Sequence, residues 1–98
     1  MYIVYGKIEL FLPYCGSLKE KRKVVNSIVD RVRKRFNISI AEAGYHDLWQ
    51  RTVLGFAAVA DGEKKAEMVA SVIQETVEGS DDPLEIIAWD VEIVPYHD

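Results

Sequence analysis

A single cysteine, Cys15, stands in 98 residues, so no intrachain disulfide can close and no cysteine-based zinc cluster can assemble. That scarcity suits a reducing compartment. No apolar run approaches the roughly 18 residues that a membrane-spanning helix needs, which argues against a membrane partner. Met1-Tyr2-Ile3-Val4-Tyr5 leads straight into an alternating pattern with no secretory leader, so the cytoplasm is the expected location. With only three prolines and six glycines the chain is too poor in both to be a disordered or low-complexity segment. A glycine-rich phosphate loop is missing, and so is a Ser–His–Asp set at recognisable spacing. No catalytic residue, metal or cofactor is therefore assigned, and the sequence names no reaction.

What is present is an ordinary globular composition, 49% hydrophobic and 29% charged, at the length of one domain spanning 1–98. Residues 2–12 alternate: Tyr2, Val4, Ile8, Leu10 and Leu12 share one face, and Ile3, Tyr5, Lys7, Glu9 and Phe11 the other. That period of two marks a strand, which Pro13 and Gly16 end. Ser17 and Glu20 have the spacing of a capping box, and Leu18, Val25, Ile28, Val29, Val32 and Phe36 follow at helical spacing, with Asn37 as the expected stop. Ile38 to Ala43 and Arg51 to Ala60 read as two strands joined by a hairpin loop. Setting Ile40 opposite Val53 would pair Glu42 with Arg51 across the strands. A second helix starts with Asp61 as N-cap, buries Ala66, Val69, Ala70, Ile73 and Val77, and ends at Gly79. The last strand turns Ile87, Trp89, Val91 and Ile93 inward. The pair His97-Asp98, at the end of the sequence, carries no inference.

Strand, helix, strand, strand, helix, strand is the βαββαβ order of ferredoxin-like α+β domains. Right-handed crossovers place the first and third strands centrally in a four-stranded antiparallel sheet, with both helices on one face. The other face is then bare. Alternation assigns it Tyr5, Phe11, Leu54, Phe56 and Ala58. RNA-recognition-motif domains stack bases at such positions, but in Leu54-Gly55-Phe56-Ala57-Ala58-Val59 only Phe56 fills an aromatic slot. An open apolar sheet face is more simply hidden by a second copy, so Tyr5, Phe11, Leu54 and Phe56 are the expected homodimer or ligand face.

The net charge of −4 conceals a sorting of charge along the chain. Residues 17–37 hold eight Lys/Arg against two acidic residues, whereas residues 38–98 hold three against thirteen. Lys19, Lys21, Arg22 and Lys23 crowd the start of the first helix, the end whose dipole is already positive and which favours acidic residues. The arrangement costs ~1 kcal/mol after screening. Free amides, a positive dipole end and clustered cations suit an anion, phosphate above all. Ser17, Lys19, Lys21, Arg22, Lys23, Arg33 and Lys34 are accordingly the candidate nucleic-acid or anion site. A solvated face that pairs with the acidic second half explains the same residues, and both readings stay open.

His46-Asp47 with Glu42 nearby is the one local cluster of possible ligands, but two adjacent loop residues fall short of a metal site. Cys15 lies near basic residues that would lower a thiol's pKa, yet no partner base accompanies it, and it reads as an ordinary loop residue.

Ser17-Leu18-Lys19-Glu20-Lys21-Arg22, Ala41-Glu42, and Asp47-Leu48-Trp49-Gln50-Arg51 leading into Leu54-Gly55 together resemble the YlxP-like family of small bacterial proteins. The resemblance spans nearly the whole chain and implies the same ferredoxin-like fold. Members of that family are often encoded beside a translation initiation factor and a ribosome-binding factor. By association, this implies RNA or the ribosome as partner. The family supplies no catalytic residues to carry over.

Overall fold

The computed structural model describes residues 1–97; Asp98 lies outside the described residues. Six elements follow in chain order: β1 (Tyr2–Phe11), α1 (Leu18–Arg35), β2 (Ser39–Gly44), β3 (Arg51–Ala60), α2 (Glu63–Glu78) and β4 (Glu85–Pro95). The strands form one sheet in the order β2-β3-β1-β4, every neighbour antiparallel, which is the ferredoxin-like arrangement with β1 and β3 central. Among the described residues no helix is long and apolar enough to cross a membrane.

The core forms where the even-numbered residues of β1 meet the buried stripes of the two helices. Val4, Ile8 and Leu10 from β1 pack in one cluster with Val25, Ile28 and Val32 from α1 and Ala66, Val69, Ile73 and Val77 from α2. Antiparallel partners share a face, so β1 dictates the face of β3: Val4 pairs with Ala58, Gly6 with Phe56, Ile8 with Leu54 and Leu10 with Thr52. This corrects the expected open face. Leu54 and Phe56 are buried under the helices, together with Ala58. On the open face β3 instead shows Arg51, Val53, Gly55, Ala57 and Val59. Tyr5 and Phe11 lie there as expected, on the odd-numbered face of β1.

The physical reason lies in the alternatives that β3 offered. Both of its faces carry aliphatic residues, so alternation alone did not choose between them. Gly6 pairs with Phe56, whose ring on the covered face lies 6.2 Å from that of Trp89 between centroids. A side chain at Gly6 would run into the Asp90 carbonyl and sit 2.8 Å from the Val91 Cα, so β4 crowds β1 closely there.

The β2–β3 register also departs from expectation. Ile40 pairs with Phe56 and Glu42 with Leu54, so Glu42 and Arg51 occupy opposite faces of the sheet and cannot pair. A bulge interrupts the pairing between Glu42 and Gly44. In β4 an irregularity opposite Glu9 and Leu10 shifts the alternation, turning Ile86 inward and leaving Ile87 exposed. Gly62, not Asp61, is the N-cap of α2, and no side chain caps it. Helix α1 stops one residue before Asn37, at Phe36, whose extended backbone ends the helix without a left-handed residue.

Candidate functional site

Three loops share one pole of the sheet: residues 12–17 entering α1, the 45–50 hairpin loop between β2 and β3, and the 79–84 connection into β4. The first of these delivers the basic helix. Ser17 is its N-cap, its Oγ accepting a hydrogen bond from the Glu20 N–H at 3.1 Å, and the Glu20 carboxylate accepts from the Gly16 N–H at 2.7 Å. The Ser17 hydroxyl thus serves the helix itself.

Lys21 does not join the exposed ridge. It precedes Val25, Ile28 and Val32 by four, seven and eleven residues, so its stem continues the buried stripe, and the residue is 1% exposed. Its ammonium donates to the backbone carbonyls of Tyr45 at 2.8 Å and His46 at 3.1 Å, with the Arg51 carbonyl further off at 3.4 Å. It also lies 3.0 Å from the Glu42 carboxylate. That same Glu42 oxygen accepts a hydrogen bond from the Thr52 hydroxyl at 2.6 Å, and Thr52 is wholly buried. All three ammonium protons therefore have acceptors, which is the condition for a cation to be held away from water. The arrangement ties the first turn of α1 to both flanks of the hairpin loop.

The loop is held elsewhere as well. Tyr45 adopts a left-handed backbone (φ 57°), and its carbonyl also accepts from the Leu48 N–H at 3.0 Å. The Arg51 guanidinium lies 5.1 Å from the centre of the Tyr45 ring and forms an ion pair with Glu9 on the open face. Gln50 uses its carbonyl to accept from the Leu12 N–H at 2.8 Å and its amide to donate to the Pro13 carbonyl at 3.1 Å. All three sequence stretches that carry the family resemblance meet here, around Lys21.

The remaining candidates of the basic ridge divide by what they touch. Arg33 donates to the Ile40 carbonyl at 2.9 Å and so helps fasten α1 to β2. Lys19, Arg22, Lys23 and Lys34 are exposed, and among the described residues none forms an ion pair or a side-chain hydrogen bond. Among the described residues they do not pair with the acidic second half. Arg31, on the far flank, donates to the Gly79 carbonyl at 3.1 Å instead.

The sequence pointed to Glu42 and His46 as potential ligands, but their side chains serve different partners. The Glu42 carboxylate is taken up by Lys21 and Thr52, while the His46 ring Nε2 lies 3.3 Å from the Glu42 backbone carbonyl. No group of three or more His, Cys, Asp or Glu side chains is disposed to hold a metal ion among the described residues. Cys15 borders a cavity of about 370 Å³ lined also by Tyr14, Lys23 and Asp82. Burial, with the nearby carboxylates of Glu20 and Asp82, pushes its thiol above the usual range, so the neighbouring Lys21 does not make it a thiolate. Sequence reasoning missed Thr52 and Tyr45. For Lys21, the signal was its phase with the apolar stripe.

Comparison with known proteins places the chain among relatives of the same kind. The family model described as "Protein of unknown function (DUF503)" matches residues 3–91. The chain is also 46% identical over 65 residues to the "Uncharacterized protein YlxP" of Bacillus subtilis (strain 168), covering 66% of this chain and 71% of that protein.

Proposed function

The chain belongs to this YlxP-like DUF503 family, and from its surface chemistry we propose that it is a non-catalytic RNA-associated factor, with the ribosome as the expected place of action. The observation that carries this reading is the exposed row Lys19, Arg22, Lys23 and Lys34 on α1, cations with no intramolecular partner among the described residues. Lys19, Arg22 and Lys23, near the N-terminal end, stand against the helix dipole and lower stability, while Lys34 in the last turn agrees with it. All four offer their charge to an external anion. An RNA backbone supplies such anions at regular spacing. Non-catalytic action is supported by Lys21 and Glu42, the pair most suggestive of chemistry, which satisfy each other and the backbone.

The test is a salt-titrated binding measurement on ribosomal subunits and free RNA. With about four phosphates engaged, log affinity falls against log salt with a slope near −3. Reversing Lys19, Arg22 and Lys23 together to Glu abolishes binding and leaves the circular dichroism spectrum unchanged. Unaltered affinity in that variant overturns the reading.

A second reading is favoured by a different observation. The open face presents Tyr5 together with Val59, which is 64% exposed, and it carries charges of both signs, Lys7 opposite Asp90 and Arg51 paired with Glu9. Such a face suits a second copy of this chain. Sedimentation would show a concentration-dependent dimer that Val59→Glu dissolves; a wild type that stays monomeric at high concentration removes this reading.

A further inference from the structure

The hairpin loop between β2 and β3 breaks the usual preference for hiding large apolar groups. Tyr45, Leu48 and Trp49 are 42%, 46% and 54% exposed within five consecutive residues. Their backbone is nevertheless fixed on both sides. The Lys21 ammonium grips the carbonyls of Tyr45 and His46, and Gln50 is bonded to Leu12 and Pro13. The indole of Trp49 is thus presented to solvent on a preorganised support, which lowers the entropy lost when something binds it.

The same ammonium that pins this loop comes from the first turn of α1, where Lys19 and Arg22 flank Lys21 and point outward. Topology therefore puts exposed aromatic faces and unpaired cations at one edge of the molecule. Together these are the two parts that single-stranded nucleic-acid sites combine: cations that follow the backbone, and aromatic faces on which bases stack. A duplex keeps its bases stacked on one another and offers none to an indole.

We infer that the loop 45–50 is a base-stacking platform, with Trp49 taking an unpaired base of single-stranded RNA whose phosphates lie on Lys19 and Arg22. This rests on the RNA reading above and specifies the strandedness of the partner.

Fluorescence anisotropy with a labelled oligouridylate and with an RNA duplex of the same length tests it on the full chain. Trp49→Ala weakens strand binding roughly tenfold or more and leaves duplex binding and the salt slope unchanged. Trp49→Phe keeps most of the strand affinity, since the aromatic face remains. The triple Glu variant of Lys19, Arg22 and Lys23 loses both ligands. Strand affinity that is unchanged in Trp49→Ala, while the charge variant still fails to bind, overturns this inference alone. An equal loss for strand and duplex in Trp49→Ala overturns it as well, because stacking would not be the cause. A wild type that binds neither RNA overturns both the inference and the reading beneath it.

Discussion

The ammonium of Lys21, 1% exposed, lies 3.0 Å from the carboxylate of Glu42, whose side chain retains 19% exposure. A lysine that composition counts among a basic cluster is thus an interior strut between helix α1 and the hairpin loop. Its removal leaves the Glu42 carboxylate without its cation and takes one donor from each of the Tyr45 and His46 carbonyls. Lys21→Met is expected to cost about 3 kcal/mol, in the range for breaking one side of a buried pair. Urea unfolding measures the loss, and hydrogen exchange at Leu48 should accelerate as the loop loosens.

Thr52 shares the Glu42 oxygen and is completely buried, so its hydroxyl has no water to fall back on. Thr52→Val keeps the shape and removes the hydrogen bond, with an expected cost of about 1.5 kcal/mol for a bond to a charged group. A double-mutant cycle with Glu42→Gln should show a coupling of at least ~0.5 kcal/mol. Strict additivity would mean that the two side chains act independently.

Phe56, 5% exposed and packed near Trp89, belongs to the core. Phe56→Ala should destabilise by about 3–5 kcal/mol, and Phe56→Glu should prevent folding outright. Neither substitution therefore probes a dimer. Val59→Glu, on the open face, should change monomer stability by less than ~0.5 kcal/mol. Thermal melts of the variants decide the assignment of faces.

Lys19 stands at the positive end of α1 with no partner among the described residues. Lys19→Glu should raise stability by about 0.5 kcal/mol through the helix dipole, while reducing RNA affinity. An increase in melting temperature with loss of binding in the same variant is the signature of charge retained for a partner. A fall in melting temperature would mean that Lys19 supports the fold.

Cys15 has a thiol raised above its ordinary value of 9.0 by burial first, and then by Glu20 and Asp82. Alkylation by iodoacetamide should be slower than for a free thiol throughout pH 7–9. The same shift has a stability consequence. The protonated thiol is favoured in the folded state, so its contribution is complete below the unfolded pKa and is lost as pH rises through the higher folded value. Cys15→Ser removes this alkaline loss, which paired melts at increasing pH would reveal.

Element order was readable from the chain because periodicity is local. The even-numbered residues of β1, the stripe of α1 and the Ser17 cap each announce themselves within a few residues, and these fixed the βαββαβ order and hence the central strands. The cations Lys19, Arg22, Lys23 and Lys34 were marked from the chain alone, but in one set with Lys21 and Arg33, which the structure shows to be buried and bonded to the β2 backbone respectively.

Choices between equivalents were left to the tertiary structure. Two faces of β3 had comparable apolar content, and only the register against β1, with Gly6 opposite Phe56, turned Phe56 inward. Glu42 had Arg51 close in sequence, yet the sheet put them on opposite faces and gave Glu42 to Lys21, 21 positions earlier in the chain. Helix phase placed Lys21 on the buried stripe, but only the fold supplied the four acceptors that let a charge stay there. Local pattern thus determined which elements form and in what order. Partners distant in sequence decided which groups are buried together, because a buried polar group is stable only where another part of the chain completes its hydrogen bonds.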